Sequence, residues 1–265
     1  MRSPLLSRPG AVAVGHDGVP GAIAAHYGDP LPEQRRAAEA AVLVDRSDRD
    51  VLVVGGPDRL SWLHSLTSQH LEGLDDGAAT EALVLSPNGH VEHDVVLADL
   101  AGTTWGDVEA GTGAALVGWL ERMRFMLRVE PALVTDAWAL LSVVGPGGDA
   151  VLAAAGRPVP GGVGTALPLD GGGWVRRVPP LGDGTAAAVD LLVPRGDVDR
   201  VADALLSAGA TLAGLDAWEA LRVEARRPRA GADTDHRTIP NETSWLTSAV
   251  HKRIAAVTKR SIKKG

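Results

Sequence analysis

The sequence predicts an α+β fold. It contains apolar runs with period-two alternation, apolar stripes at helical spacing, and glycine-centred hairpin turns, without the strict strand–helix alternation of a parallel sheet. Residues 28–45, "GDPLPEQRRAAEAAVLVD", open with two prolines in a turn and continue as a short Ala-rich helix. "DVLVVGG" (50–56) is a strand, and "GPDRLSWLHSLTSQHL" (56–71) is a helix that Asp58 can cap, with Leu60, Trp62, Leu63 and Leu66 as its apolar stripe. "TEALVLSPNGHVEHDVVLADL" (80–100) is the clearest hairpin, because Asn88-Gly89 tolerates the positive φ of a tight turn. A helix at 111–123, strands at 125–136 and 137–145, and a short helix at 145–156 follow. The Gly/Pro-rich stretch 157–173 reads as a loop or subdomain linker. Strands at 173–180 and 186–194 precede helices at 197–209 and 216–227, and residues 228–245 are turn-rich and polar. No internal repeat is visible.

Composition narrows the function. The chain has 265 residues, 45% hydrophobic, enough for a sizeable core in one large domain or two fused subdomains. No cysteine is present, which excludes disulfides, thiol catalysis and Cys-ligated zinc or iron–sulfur ligation. All 33 acids lie before residue 252, so the body is acidic and lacks the basic stripe of a general nucleic-acid surface. No apolar run approaches the ~20 residues of a membrane span. No signal peptide is apparent either, and a cytoplasmic protein is expected. The glycines of "VVGGPDRLSW" match neither dinucleotide nor P-loop patterns. His64 and His70, or His90 and His93, have the wrong spacing for two ligands on one face, so no metal site is expected.

Three places could carry a site. On the strand "HVEHDVVLADL", Val91, His93, Val95 and Leu97 share one face, and Glu92, Asp94 and Val96 the other. Residue type alone favours a half-exposed sheet with both acids in water. The alternative puts Asp94 in a cavity wall, accepting hydrogen bonds from a ligand's N–H groups. In "ALRVEARRPR", Arg222 and Arg226 share a helical face and Glu224 lies roughly opposite. This is either a solvated helix end favoured by the dipole, or a carboxylate gripping a cyclic amidine edge beside anion-binding arginines. "ERMRFMLRVE" places Arg122, Arg124 and Arg128 at a helix-to-strand junction, either solvated or a basic lip for an anionic tail.

Taken in order, "VLVDRSDRDVLVVGGPDRLSWLHSLTSQHLEGLDDG", "ALVLSPNGHVEHDVVL", "LERMRFMLRVEPALVTDAW" and "LDAWEALRVEARRPRAGADTDHRTIPNE" resemble the folate-binding aminomethyltransferase (glycine cleavage T-protein, GcvT) superfamily. "AAHYGDPLPEQRRAAEAAVLVDRS" and "TDHRTIPNETSWLTSAVH" resemble its YgfZ branch, folate-binding proteins tied to iron–sulfur cluster maintenance and tRNA modification. The resemblance implies a GcvT/YgfZ-like α+β fold: two α/β subdomains with antiparallel sheets around a central channel for tetrahydrofolate, then a C-terminal β-barrel. It implies folate contacts at Asp94, Glu224 and Arg222, with Arg124 and Arg128 carried over from a "Y-x-L-R" region. It also implies a reduced folate as partner and, in the YgfZ branch, iron–sulfur client proteins and a tRNA link. No catalytic residue is assigned. An accessory folate-binding protein is the leading expectation, a folate-dependent aminomethyltransferase or demethylase the second, and a non-functional remnant the third.

The expected organisation is a flexible N-terminus at 1–19, the folate-binding domain at 20–251 with a subdomain linker near 157–173, and a tail at 252–265. That tail holds all four lysines of the chain and no acid. It stands where the YgfZ branch runs into a "K-G-C-Y-x-G-Q-E" segment and the barrel. The change of composition therefore reads as a truncation, frameshift or scar, the alternative being a solvated basic tail.

Overall fold

The computed structural model describes residues 2–16, 19–184 and 186–251; the basic tail 252–265 lies outside the described residues. In chain order, a 3-10 turn at Pro4–Ser7 is followed by β1 (Ala11–His16), β2 (Val19–Tyr27), α1 (Pro30–Glu39), β3 (Val42–Asp45), β4 (Asp50–Gly55), α2 (Arg59–Leu66), β5 (Ala79–Leu85), β6 (Val91–Leu100) and β7 (Thr103–Val108). Then come α3 (Gly113–Arg122), β8 (Glu130–Leu133), β9 (Trp138–Val144), α4 (Gly148–Ala154), β10 (Ala166–Pro168), β11 (Trp174–Leu181), β12 (Ala186–Pro194), α5 (Val198–Ser207), β13 (Thr211–Ala213), α6 (Leu215–Glu224) and the single turn α7 (Trp245–Ser248).

Local chemistry sets the ends of these elements. Asp29 caps α1 by accepting from the Leu31 N–H at 3.1 Å, and Pro30 supplies the preset φ of a first helical residue. The β5–β6 hairpin closes through Gly89, whose φ of 83° lies in the left-handed region. Its register sets Glu81 opposite Val96 and Leu83 opposite Asp94. The predicted strand 125–136 is shorter than expected. Residues 123–128 form an exposed bend, with Phe125 in left-handed backbone (φ 46°), and pairing begins only at Glu130. The 157–173 stretch contains β10, and its Gly164 carbonyl accepts from the Ala79 N–H at 2.7 Å.

The strands form two large sheets. One has six strands in the order β10-β11-β12-β9-β3-β13, antiparallel except for the β13–β3 pair. The other has five, in the order β5-β6-β7-β4-β8, all antiparallel. Helices α4 and α5 bury the outer face of the six-stranded sheet, and α2 and α3 bury that of the five-stranded sheet. The inner face of the six-stranded sheet is shared along its strands. At one end Val144, Val178 and Ala188 pack on α1 and α6, and at the other Leu140, Trp174 and Leu192 pack on Val51 and Ala98 of the five-stranded sheet.

Instead of a flexible segment at 1–19, residues 2–16 fold onto the body. Leu5 is fully buried among the residues around α5, and Arg8 pairs with Asp199 and Asp203 of that helix at 2.9 and 2.8 Å. The β1–β2 hairpin is clamped by Glu33 of α1, whose two oxygens accept from the Tyr27 N–H (2.7 Å) and the Gly214 N–H (2.8 Å). A single buried apolar residue in a proline-flanked stretch is a weak signal, which is why the sequence reading missed it. No helix among the described residues is long and apolar enough to cross a membrane.

Candidate functional site

Midway between its two apolar ends, the inner face of the six-stranded sheet carries one polar row. The strand registers place Arg176 beside Asp190, and Asp190 beside Ser142. Each is 1% exposed. Ser142 Oγ donates to Asp190 Oδ1 at 2.6 Å, and Arg176 donates to Asp190 Oδ2 at 2.9 Å. Across the gap, the same Arg176 reaches Asp107 of β7 at 2.5 Å and the Val96 carbonyl of β6 at 3.1 Å. A buried charge is tolerated only when its partners replace water, and Arg176 does so by tying the two sheets together.

The chain crosses from one sheet to the other through the turn Arg46–Arg49, in which the Arg49 N–H donates to the Arg46 carbonyl at 3.1 Å. The first and fourth residues of such a turn lie on the same side, and both arginines enter the space between the sheets. Arg49 is fully matched: it donates to Asp107 Oδ2 and Glu109 Oε1, each at 2.6 Å. Arg46 is not. Its contacts to Asp190 (3.5 Å) and Ser142 (3.4 Å) are long, and its guanidinium lies 4.1 Å above the Trp218 ring of α6. Burial pushes its pKa down to about 10, against the pull of Asp190.

These groups wall a chamber between the two sheets and α6. Asp94 stands in its wall. Its Oδ1 is shielded from solvent and has no hydrogen-bond partner among the described residues. Burial pushes the carboxyl well above the usual carboxylate range, repulsion from Glu81 adds to this, and Arg49 opposes it. A second cavity shares Glu81, Val96, Arg176, Val178 and Arg227 with the chamber and extends it toward α7 and His251.

A relay of ion pairs closes the remaining side. Glu109 binds Arg229 at 2.8 Å, Arg229 binds Glu219 of α6 at 3.0 Å, and Glu219 binds Arg222 at 2.6 Å. Arg222 also holds Asp233 at 2.5 Å and the Arg227 carbonyl at 2.7 Å, which folds the segment after α6 over the opening. Trp245 pins that segment further along by donating from Nε1 to Glu81 Oε1 at 3.1 Å.

Of the residues singled out from the sequence, the structure brings Asp94 and Arg222 to one chamber. It does not bring the others there. Glu224 lies two residues beyond Arg222, which on a helix is about 200° away, and it is exposed, with Oε2 toward Gly182. Arg124 and Arg128 are exposed on the 123–128 bend. Arg128 is committed to Asp58, with Nε and Nη2 at 3.0 and 2.8 Å.

Sequence reasoning passed over Arg46, Arg49, Asp107, Glu109, Arg176, Asp190 and Arg229. One signal was available: Asp190 is the single charge in "AAAVDLLVP", and a lone acid within an apolar strand asks for a buried partner. Among the described residues no group of three His, Asp or Glu side chains is placed to hold a metal ion.

Comparison with known proteins bears on the fold. Residues 29–160 match the family described as the GCVT N-terminal domain. An aminomethyltransferase of Bordetella parapertussis is 27% identical over 244 residues, covering 84% of this chain and 63% of that protein. One from Thermosynechococcus vestitus is 28% identical over 222 residues, covering 82% of this chain and 59% of that protein. The chain thus spans under two thirds of the length of the curated relatives it matches. The crystal structure of the glycine cleavage system aminomethyltransferase T from Bartonella henselae superposes with a TM-score of 0.80 at 24% identity, covering 89% of this chain and 64% of that one. The fold is therefore GcvT-like, and the match of residues 29–160 supports a place in the aminomethyltransferase (GcvT) superfamily.

Proposed function

We propose that the chain binds a reduced folate, tetrahydrofolate or a derivative, in the chamber between the sheets. The observation that carries this reading is Asp94: a carboxylate oxygen shielded from water, in a cavity wall, with no hydrogen-bond partner among the described residues. A pterin ring bears several N–H donors, and a buried carboxylate that accepts them gains charge-assisted bonds. Arg46, the least satisfied arginine of the wall, is free to donate to a ligand carbonyl or anion, and Trp218 beneath it offers a flat apolar face. When bound, the folate supplies a carrier for one-carbon groups. The chain's own residues orient it and, through the Glu109–Arg229–Glu219–Arg222 relay, keep water out.

Free Asp94 holds its proton above the usual carboxylate range, and N–H donors favour the charged form. Ligand binding therefore releases a proton, and affinity rises with pH until Asp94 is ionised in the free protein. Titration with tetrahydrofolate under anaerobic conditions tests the reading. Asp94→Ala weakens binding by about 1–3 kcal/mol, the usual cost of losing a buried hydrogen-bond partner. Equal affinity in the variant removes the assignment. Glu224→Ala in the same titration shows whether the ligand also reaches the exposed end of α6, as the family resemblance implies for that residue.

Within the superfamily we infer an accessory binding role of YgfZ type, in the cytoplasm and linked to iron–sulfur clients and tRNA modification. It rests on the resemblance of "TDHRTIPNETSWLTSAVH" to that branch; in the structure this segment packs beside the β5–β6 hairpin and holds Trp245 against Glu81. The aminomethyltransferase relatives favour a second reading, that of a folate-dependent transferase. Incubation with tetrahydrofolate and an aminomethyl or N-methyl donor separates the two. Folate-dependent release of ammonia or formaldehyde identifies a transferase, and binding without turnover identifies the accessory protein.

A further inference from the structure

The turn Arg46–Arg49 has a second side. Its end residues face the folate chamber. Its apex residues, Ser47 and Asp48, line a different cavity together with Asp50, Asp136 and Arg195, and no lining residue is common to the two. The floor of this outer cavity is apolar, formed by Ala22 and Ile23 of the β1–β2 hairpin.

Its hydrogen-bonding capacity is lopsided. Among the described lining residues Arg195 is the one cation, and it is committed to the carbonyls of Thr135 and Ser47, each at 3.0 Å. Asp50 is committed to the Gly113 N–H at 2.8 Å. Among the described residues, Ser47 Oγ and Asp48 Oδ1 have no hydrogen-bond partner of good geometry, and Ser47 is 4% exposed. Behind them Asp45 is 2% exposed; its Oδ1 takes the Ser47 N–H at 2.9 Å, and the Ser3 and Ser47 hydroxyls lie close enough to its carboxylate to favour the charged form. Burial raises both aspartates above the usual carboxylate range, although Arg46 and Arg49 pull Asp48 the other way.

Buried acceptors without donors are costly, and the cost is relieved by a ligand that brings N–H groups and positive charge. A primary ammonium has three donors, one charge and no acceptor. An anion would meet carboxylates, and a neutral ligand would add nothing to the positive charge that Arg195, Arg46 and Arg49 already bring to them. The absence among the described residues of any three-ligand His/Asp/Glu group argues against a metal ion. We propose that this outer cavity binds a small primary ammonium compound, its N–H groups taken by Ser47 and Asp48 and its carbon chain laid on the hairpin floor.

The test is calorimetric titration of the full chain with n-propylammonium chloride, with sodium chloride and glycine in parallel. The expected result is saturable binding of the amine, weakened about tenfold or more by Asp48→Asn, as the loss of a charge-assisted hydrogen bond predicts. Ser47→Ala weakens it less, and Asp94→Asn leaves it unchanged, which separates this site from the folate reading. Asp48→Asn removes a poorly paired buried charge and is expected to melt no lower than the parent protein; should it fail to fold, Ser47→Ala decides. No saturable binding, or unchanged affinity in both variants, overturns the proposal. So does sodium binding as tightly as the amine, which would mark a simple ion site. Glycine binding as tightly would assign the cavity to a zwitterion engaging Arg195 and would also overturn it.

Discussion

Arg176 and Asp94 both lie between the sheets, and their surroundings are opposite. Arg176 is matched on every side, by Asp107, Asp190 and the Val96 carbonyl, and its neighbours are matched in turn by Arg49 and Ser142. Asp94, on β6 of the facing sheet, keeps an oxygen that nothing among the described residues satisfies. A closed set of charges joins two sheets, whereas an open one waits for a molecule from outside. Burial alone does not distinguish the two; the count of filled hydrogen-bond positions does. By that measure Arg46, with contacts only at 3.4 and 3.5 Å, belongs with Asp94 rather than with its neighbour Arg49.

The contrast can be broken by mutation, and the closed set should respond most. Asp107→Ala takes one carboxylate from both Arg176 and Arg49, leaving them Asp190 and Glu109, and removing one partner of a buried ion pair typically costs about 3–5 kcal/mol. Chemical denaturation should show a large fall in midpoint, and a loss below about 1 kcal/mol would mean that water enters the network freely. Glu33→Ala frees the buried Gly214 N–H and the Tyr27 N–H together. A loss of about 1–3 kcal/mol is expected, with the β1–β2 hairpin gaining amide exchange ahead of the rest.

Asp94→Asn should behave in the reverse sense. In the folded protein Asp94 keeps its proton to higher pH than the unfolded carboxyl, which titrates near ~4. The stability it lends is fully present below that value and is lost as pH rises through the raised folded value. The Asn variant lacks this loss. Its melting temperature should match or exceed that of the parent at neutral pH, and melts at several pH values would show it, even as folate binding falls. Smallest of all is Arg128→Ala. The Arg128–Asp58 pair has good geometry at 2.8 Å, but the arginine side chain is 74% exposed, and no change in the denaturation midpoint is expected.

The sequence made the β5–β6 hairpin and the face that Asp94 shares with Val96 legible, because a tight turn and a period-two alternation are local; whether that face meets water or a cavity was left open, with residue type favouring water. Pairings set by distant residues were not legible. The strand β13 is three residues long and exists through its parallel pairing with β3, and β1–β2 is held by Glu33 from the next helix. Arg46 and Arg49 were in plain view in "VDRSDRD", but whether an arginine meets water or an aspartate on another sheet depends on register some 60 to 140 residues away. Glu224 is the converse case, exposed and outside the chamber lining. A family pattern pointed to it, while the helical period, already noted in the sequence, puts it on the far side from Arg222.

The turn Arg46–Arg49 is four residues long, and its length divides labour between two cavities. Residues one and four supply the cations of the chamber, and residues two and three supply the acceptors of the outer cavity. Each position tolerates drift by substitution on its own terms. An insertion or deletion of one residue would instead move arginine and aspartate together to the wrong rooms, since the chain leaves β3 and enters β4 at fixed places. Among sequences of this lineage, the gap-free length of this stretch should therefore be a stricter signature than the identity of any residue in it.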